Sequence, residues 1–145
     1  MPRVYGSAVP QQAPGAVTIW EIIAGSQIPI RLKRIELSSD NASGTVVVRP
    51  RLSRISATGT GTASTPSPVD ANDTAAAATI KYLDTVEPTF GVQVWLDRWN
   101  LQVPYIWIAG PGEEFRAAGL AGFAITLLDT PAPANVVVAV SFEED

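Results

Sequence analysis

From Val17 onward, short apolar stretches alternate with turn-rich breaks, and within the stretches the apolar period is two. Side chains on a strand point alternately to opposite faces, whereas those on a helix return about every 3.6 residues, so this pattern predicts strands. Ile28, Ile30 and Leu32 share one face, but beyond Lys33 and Arg34 the apolar set moves to Ile35 and Leu37. A change of face within one strand is the mark of a β-bulge. In the next run Val46, Val48 and Leu52 lie opposite Val47, Arg49, Arg51 and Ser53. Pro50 has no backbone donor, which predicts a sheet edge or an irregularity there.

Further strands follow from the alternation of Ala78, Ile80 and Tyr82 with Thr79, Lys81 and Leu83, and of Val92, Val94 and Leu96 with Gln93, Trp95 and Asp97. The dense run at 105–108 stops at Ala109-Gly110-Pro111-Gly112, a strong turn signal. Phe123, Ile125 and Leu127 form another apolar face, and Val136, Val138, Val140 and Phe142 form the last. The expectation is one all-β domain over residues 17–145, an antiparallel β-sandwich or jelly roll of about eight strands.

Two segments lack this period. Residues 1–16 carry Pro2, Pro10 and Pro14 with Gly6 and Gly15, which reads as an extended N-terminal arm seeking a partner, or as a frayed terminus. Residues 56–76 are almost all Ser, Thr, Gly, Ala, Pro, Asp and Asn, which reads as a long polar loop within the domain.

Composition narrows the chemistry. The 145 residues include no Cys and no His, which removes disulfides, thiolate zinc sites, catalytic thiols and the side chain that most readily exchanges protons near neutral pH. The formal charge of −4 does not favour a nucleic-acid or anionic-membrane partner. No segment approaches the roughly 18 apolar residues that span a bilayer, and the start lacks the features of a signal peptide. Six of the ten basic residues, Arg31, Lys33, Arg34, Arg49, Arg51 and Arg54, fall in one stretch, while the chain ends on Glu143, Glu144 and Asp145. Such a run is either a solvated face or a basic face that meets a complementary patch.

Catalytic constellations are weak. Neither Lys33 nor Lys81 follows a serine at Ser-x-x-Lys spacing, so a serine nucleophile has no base. Asp84, Glu87, Asp97, Glu113 and Glu114 can form a carboxylate pair only if the fold brings two of them about 5 to 10 Å apart across a cleft. Gly59-Thr60-Gly61 begins like a dinucleotide fingerprint but lacks its third glycine and any following helix, and reads as a flexible loop tip. Asp70-Ala71-Asn72-Asp73 lacks the glycine of a calcium loop. No enzyme activity, cofactor or metal is expected. Trp95, Trp99 and Trp107, with Tyr105, are a concentration of aromatics that serves either a core or an interface, and the alternation of 92–97 places Trp95 away from its apolar neighbours.

Four segments carry a resemblance: Met1-Pro2-Arg3-Val4-Tyr5, Thr65-Pro66-Ser67-Pro68, Glu87-Pro88-Thr89 before a Trp-rich stretch, and the ending Val-Ala-Val-Ser-Phe-Glu-Glu over 138–144. The chain resembles the capsid decoration, or cement, proteins of tailed bacteriophages. The resemblance implies a jelly-roll protein made in the host cytoplasm and carried on the capsid exterior, where a homo-oligomer ties major capsid proteins together. No catalytic residues carry over. The expected partner-binding residues are Arg3, Val4 and Tyr5 in the arm, Arg31, Arg49 and Arg51 in the basic stretch, and Trp95 and Trp99. The alternative is a carbohydrate- or receptor-binding module of a head fibre or tail. Open sheet edges expected at 46–52 and 136–142 favour a closed symmetric oligomer, and the resemblance implies a homotrimer, with a homodimer next.

Overall fold

The computed structural model describes residues 2–10, 12, 14–40, 46–131 and 134–145. Among them there is no helix. The strands are β1 (Arg3–Ala8), β2 (Thr18–Ile23), β3 (Ile30–Ser39), β4 (Val47–Val48), β5 (Pro50–Ala57), β6 (Thr60–Ser64), β7 (Ser67–Pro68), β8 (Thr79–Val86), β9 (Thr89–Leu96), β10 (Trp99–Asn100), β11 (Tyr105–Ile108), β12 (Phe115–Ala117), β13 (Gly122–Leu127) and β14 (Val136–Glu144). All of their pairings are antiparallel. One sheet has the order β11-β3-β14-β1-β7 with β12 also on β3, the other the order β6-β8-β2-β13-β5-β9, and β4 pairs with β10 apart from both.

The two large sheets bury their facing sides in one core. Tyr5, Leu32, Ile35, Val138 and Phe142 from the first meet Trp20, Ile22, Leu52, Phe123 and Ile125 from the second. Trp20 Nε1 donates to Ser7 Oγ at 3.2 Å, so the largest buried ring also has its polar atom satisfied across the interface.

The second sheet is curled. Only residues 58–59 separate β5 from β6, and only 87–88 separate β8 from β9. Ala57 pairs with Thr89 and Thr60 with Val86. Residues 50–64 and 79–96 are therefore one long ribbon, bent in the middle, with its halves at opposite ends of the sheet. In a flat sheet β5 and β6 would stand about 19 Å apart, while the steps from 57 to 60 reach about 11 Å, so the sheet must fold over. The burial agrees: β2 and β13 are buried at every position, on both faces. Ile23, Ile55 and Ala124 form a second, small cluster separate from the main core.

Several expectations hold. The face change in β3 is a bulge, since Ser141 pairs with Arg34 and Phe142 with Leu32, leaving Lys33 as the extra residue. Val48 and Leu52 are buried while Val47 is exposed. The turn after β11 is closed by Glu113 N donating to Gly110 O at 2.9 Å, with Gly112 at a φ of 78°.

Others are corrected. The expected arm is a strand of the sandwich: β1 lies between β14 and β7, and Tyr5 is fully buried, stacked on Phe142 at 5.5 Å. Met1, Gln11 and Ala13 of that segment lie outside the described residues. Its prolines flank the strand, which is why they do not break it. The expected polar loop at 56–76 contains β6 and β7, because small polar residues still offer the backbone donors and acceptors that a neighbouring strand can use. Of the two alternatives at Pro50 the irregularity is present, as the break between β4 and β5, whereas neither Pro50 nor the final strand lies at an edge. β5 runs between β13 and β9, with register shifts toward β9, and β14 runs between β3 and β1.

Candidate interaction surface

The basic stretch is divided between the sheets and largely neutralised. Arg31, Lys33 and Arg34 leave β3 on the first sheet, whereas Arg51 and Arg54 belong to β5 on the second, with Arg49 just before it. Lys33 Nζ lies 2.9 Å from Glu114 Oε1 and 3.4 Å from Glu143 Oε1, and Arg31 Nη2 lies 2.9 Å from Asp145 Oδ2. Arg34 pairs with Glu36 at 2.7 Å. Arg49 holds Asp129 through two bonds of 2.9 and 3.0 Å. Hydrogen bonding to Glu114 raises Lys33 above its usual pKa, and hydrogen bonding to Arg49 lowers Asp129 below the usual carboxylate range. The acidic end thus meets the basic strand within one molecule, because β14 is the neighbour of β3. The picture of a basic face opposed to an acidic end is corrected accordingly.

Of the expected partner-binding residues, Tyr5 and Trp99 are core. Trp99 is 1% exposed and its Nε1 donates to Val103 O at 2.7 Å. Val4 is half-buried on β1. Arg3 is exposed and donates from Nη1 to Thr74 Oγ1 at 2.7 Å. Arg51 and Trp95 come together, on β5 and β9, where Leu52 pairs with Trp95 and Arg51 with Leu96.

That flank of the sandwich is distinctive. β9 ends the second sheet and β11 ends the first, and the two approach each other: the Trp95 and Tyr105 rings are 5.6 Å apart, and Tyr105 OH donates to Asp97 Oδ2 at 3.0 Å. Burial, then Asp97, pushes the Tyr105 phenol well above its ordinary pKa. Trp107 stacks on Phe115 at 5.3 Å, and the Arg51 guanidinium lies 4.7 Å from the Phe90 ring centroid. The aromatic concentration is therefore packed mainly upon itself. What remains open is mostly aliphatic: Val92 is 72% exposed, Ile108 65%, Ile106 50% and Leu96 44%, with Phe90 also exposed beneath Arg51. Trp95 Nε1 and Arg51 Nε are buried without hydrogen-bond partners among the described residues.

The alternation rule set Val92, Val94 and Leu96 on one face and Trp95 on the other, whereas Val94 and Trp95 both pack against the core and Val92 and Leu96 are exposed. Register shifts between Leu52 and Ala57 rotate β9 relative to its neighbour, so Trp95 packs against the core and Val92 turns out. The sequence signal that marks this flank is the lack of any charge across Thr89–Leu96. Edge strands normally carry Lys, Pro or other charges that discourage pairing, and β9 carries none.

Most of the acidic candidates are held by other groups. Asp97 is bonded to Tyr105, and Glu114 to Lys33. Glu87 accepts from Thr18 N at 2.9 Å and from Thr18 Oγ1. Asp84 is buried beneath the bend of the ribbon beside Glu21. Among the described residues no three acidic groups gather as metal ligands, and no helix is long and apolar enough to cross a membrane. No protein family, characterised protein or solved structure matches this chain.

Proposed function

We propose that the protein is a virion structural protein, a decoration or cement protein of a tailed bacteriophage with a jelly-roll-like sandwich, that attaches to the major capsid protein on the capsid exterior. The observation that carries this reading is the uncharged, aliphatic pair of edge strands β9 and β11 on a sandwich whose surface charges mostly pair with each other. Exposed apolar side chains on an unprotected strand edge suit a protein partner that supplies a strand and a dry surface. Attachment through a free N-terminal arm is not part of the reading, because β1 is a sandwich strand. Self-association as a homotrimer, or failing that a homodimer, rests on these same edges. A glycan-binding module fits less well, since the rings that would stack on sugar are packed on one another.

The test is attachment to expanded capsids of the parent phage that lack the protein. The wild type is expected to saturate at fixed stoichiometry and to raise the temperature at which particles rupture. Because the contact is apolar, raising the salt concentration should weaken binding little. Replacing Val92 and Ile108 together by Lys should reduce attachment more than tenfold while leaving the thermal unfolding of the free protein nearly unchanged, as both side chains are already exposed. Wild-type protein that does not bind such capsids at any salt concentration overturns the reading.

A further inference from the structure

Among the described residues several buried side-chain atoms lack a partner, Gln12 Oε1, Arg51 Nε and Trp95 Nε1 among them, but Asp84 is the carboxylate in which both oxygens do. Asp84 on β8 is 4% exposed, and neither Oδ1 nor Oδ2 receives a hydrogen bond from any donor among the described residues. Its polar neighbour is Glu21 on β2, 1% exposed, whose carboxylate oxygens each accept from Gly59 N at 3.2 Å. The remaining charged groups facing this site are Lys81, on β8, and Glu87, at the ribbon bend. Lys81 Nζ is committed to Gly59 O at 3.0 Å and Thr58 Oγ1 at 3.2 Å, and Glu87 to Thr18. The bend presses directly on Asp84. A Cβ on Gly59 would stand 2.8 Å from Asp84 Oδ2 and 2.1 Å from Val86 O, and one on Gly61 would stand 2.2 Å from Asp84 Oδ1. Leu83, at a φ of 52°, twists β8 immediately before it.

Two ionised carboxylates cannot be held side by side in a closed interior without a compensating positive charge or a proton. Among the described residues the nearby cation, Lys81, donates elsewhere, and Gly59 and Gly61 bring the backbone close against both Asp84 oxygens. We propose that Asp84 and Glu21 share a single proton in the folded protein, and that this proton latches the bend of the ribbon over the outer face of β2. With the proton in place Asp84 donates to Glu21, Glu21 still accepts from Gly59, and the bend is closed. Without it the two charges repel at the point where Gly59 and Gly61 hold the backbone down.

Burial, then the neighbouring Glu21 and Glu87 carboxylates, push Asp84 up to about 8, against an opposing pull from Lys81. A carboxyl raised on folding binds its proton more tightly in the native than in the unfolded chain. Its contribution to stability is complete below the unfolded value of about 3.8 and is lost as pH rises toward about 8. The ion pairs of Asp129 and Glu114, whose carboxyls are lowered, act in the opposite sense and at lower pH.

The test compares denaturant unfolding of the wild type, Asp84→Asn and Glu21→Gln from pH 5 to 9. Between pH 5 and 7.5 the wild type is expected to release about one more proton on unfolding than either variant, read from the slope of stability against pH. Asparagine keeps the shape and a donor toward Glu21, so the Asp84→Asn protein should hold its midpoint at pH 8 where the wild type has lost part of its own. Carboxyl carbon resonances of the wild type supply a reading that needs no variant, with Asp84 titrating well above pH 6. An Asp84 resonance that titrates in the ordinary carboxylate range, or equal slopes in all three proteins, overturns the proposal. So does a calcium-dependent gain in stability at pH 8 that Asp84→Asn abolishes, since a cation would then be the compensating charge.

Discussion

A chain lacking residues 1–10 is expected not to fold, and the single change Tyr5→Ala is expected to cost about 3 to 5 kcal/mol. β1 is hydrogen-bonded on both sides, with Arg3 opposite Glu144 through Ala8 opposite Ala139, and with Tyr5 and Gly6 opposite Pro68 and Ser67. Tyr5 fills the core against Phe142 and donates its hydroxyl to Thr74 O at 3.0 Å, so alanine leaves a cavity and loses that hydrogen bond. Ser7 accepts the indole N–H of Trp20, and Val9 is buried beyond it. Removing the whole strand also uncovers one edge of β14 along its length. Against a total stability of about 5 to 15 kcal/mol for a domain, that loss leaves no folded state. Circular dichroism and urea unfolding decide the matter. A truncated chain that still unfolds cooperatively within about 1 kcal/mol of the full one would show that β1 is an arm after all.

The fold class was legible because burial on one face writes a period of two into β3, β5, β8 and β14, and even the bulge at Lys33 left its trace as a change of face. Two of the strands that the apolar period does not mark, β6 and β7, pair without apolar side chains. β6 reads Thr-Gly-Thr-Ala-Ser and β7 is Ser-Pro, and both are held by backbone bonds to partners that the sequence cannot designate. β1 was obscured by the prolines and glycines around it, although its Val4 and Tyr5 were singled out. The interaction surface was legible only in part. Trp95 and Arg51 do stand at the flank, but Val92 and Leu96, which help to open it, fall on the apolar face of the alternation, since the rotation of β9 arises from its mismatched register with β5. Charge was the least legible feature. A run of basic residues in sequence says nothing about which acids lie across the sheet, and here the chain's own last strand supplies them.

The curl of the second sheet makes a sharper demand at a position with no sequence signature. Gly122 opens β13, paired on one side with Ile23 of β2 and on the other with Ile55 of β5. A Cβ added there would lie 1.7 Å from Ile22 O and 2.7 Å from Ile22 C. These are backbone atoms of a strand buried on both faces, so they cannot swing aside as a side chain would. Gly122→Ala must instead pry β2 from β13 where the ribbon bend is anchored, and the expected loss is about 3 kcal/mol, at the upper end for overpacking. Gly6→Ala is the matched control. It also lies in a sheet interior, but its Cβ would meet nothing within 4 Å, and a change within about 0.5 kcal/mol is expected. Urea midpoints of the two variants, measured side by side at pH 6, separate a steric requirement at Gly122 from the general effect of replacing glycine in a strand. Equal midpoints would mean that β2 and β13 tolerate separation, and that the curl is looser than the burial of both strands implies.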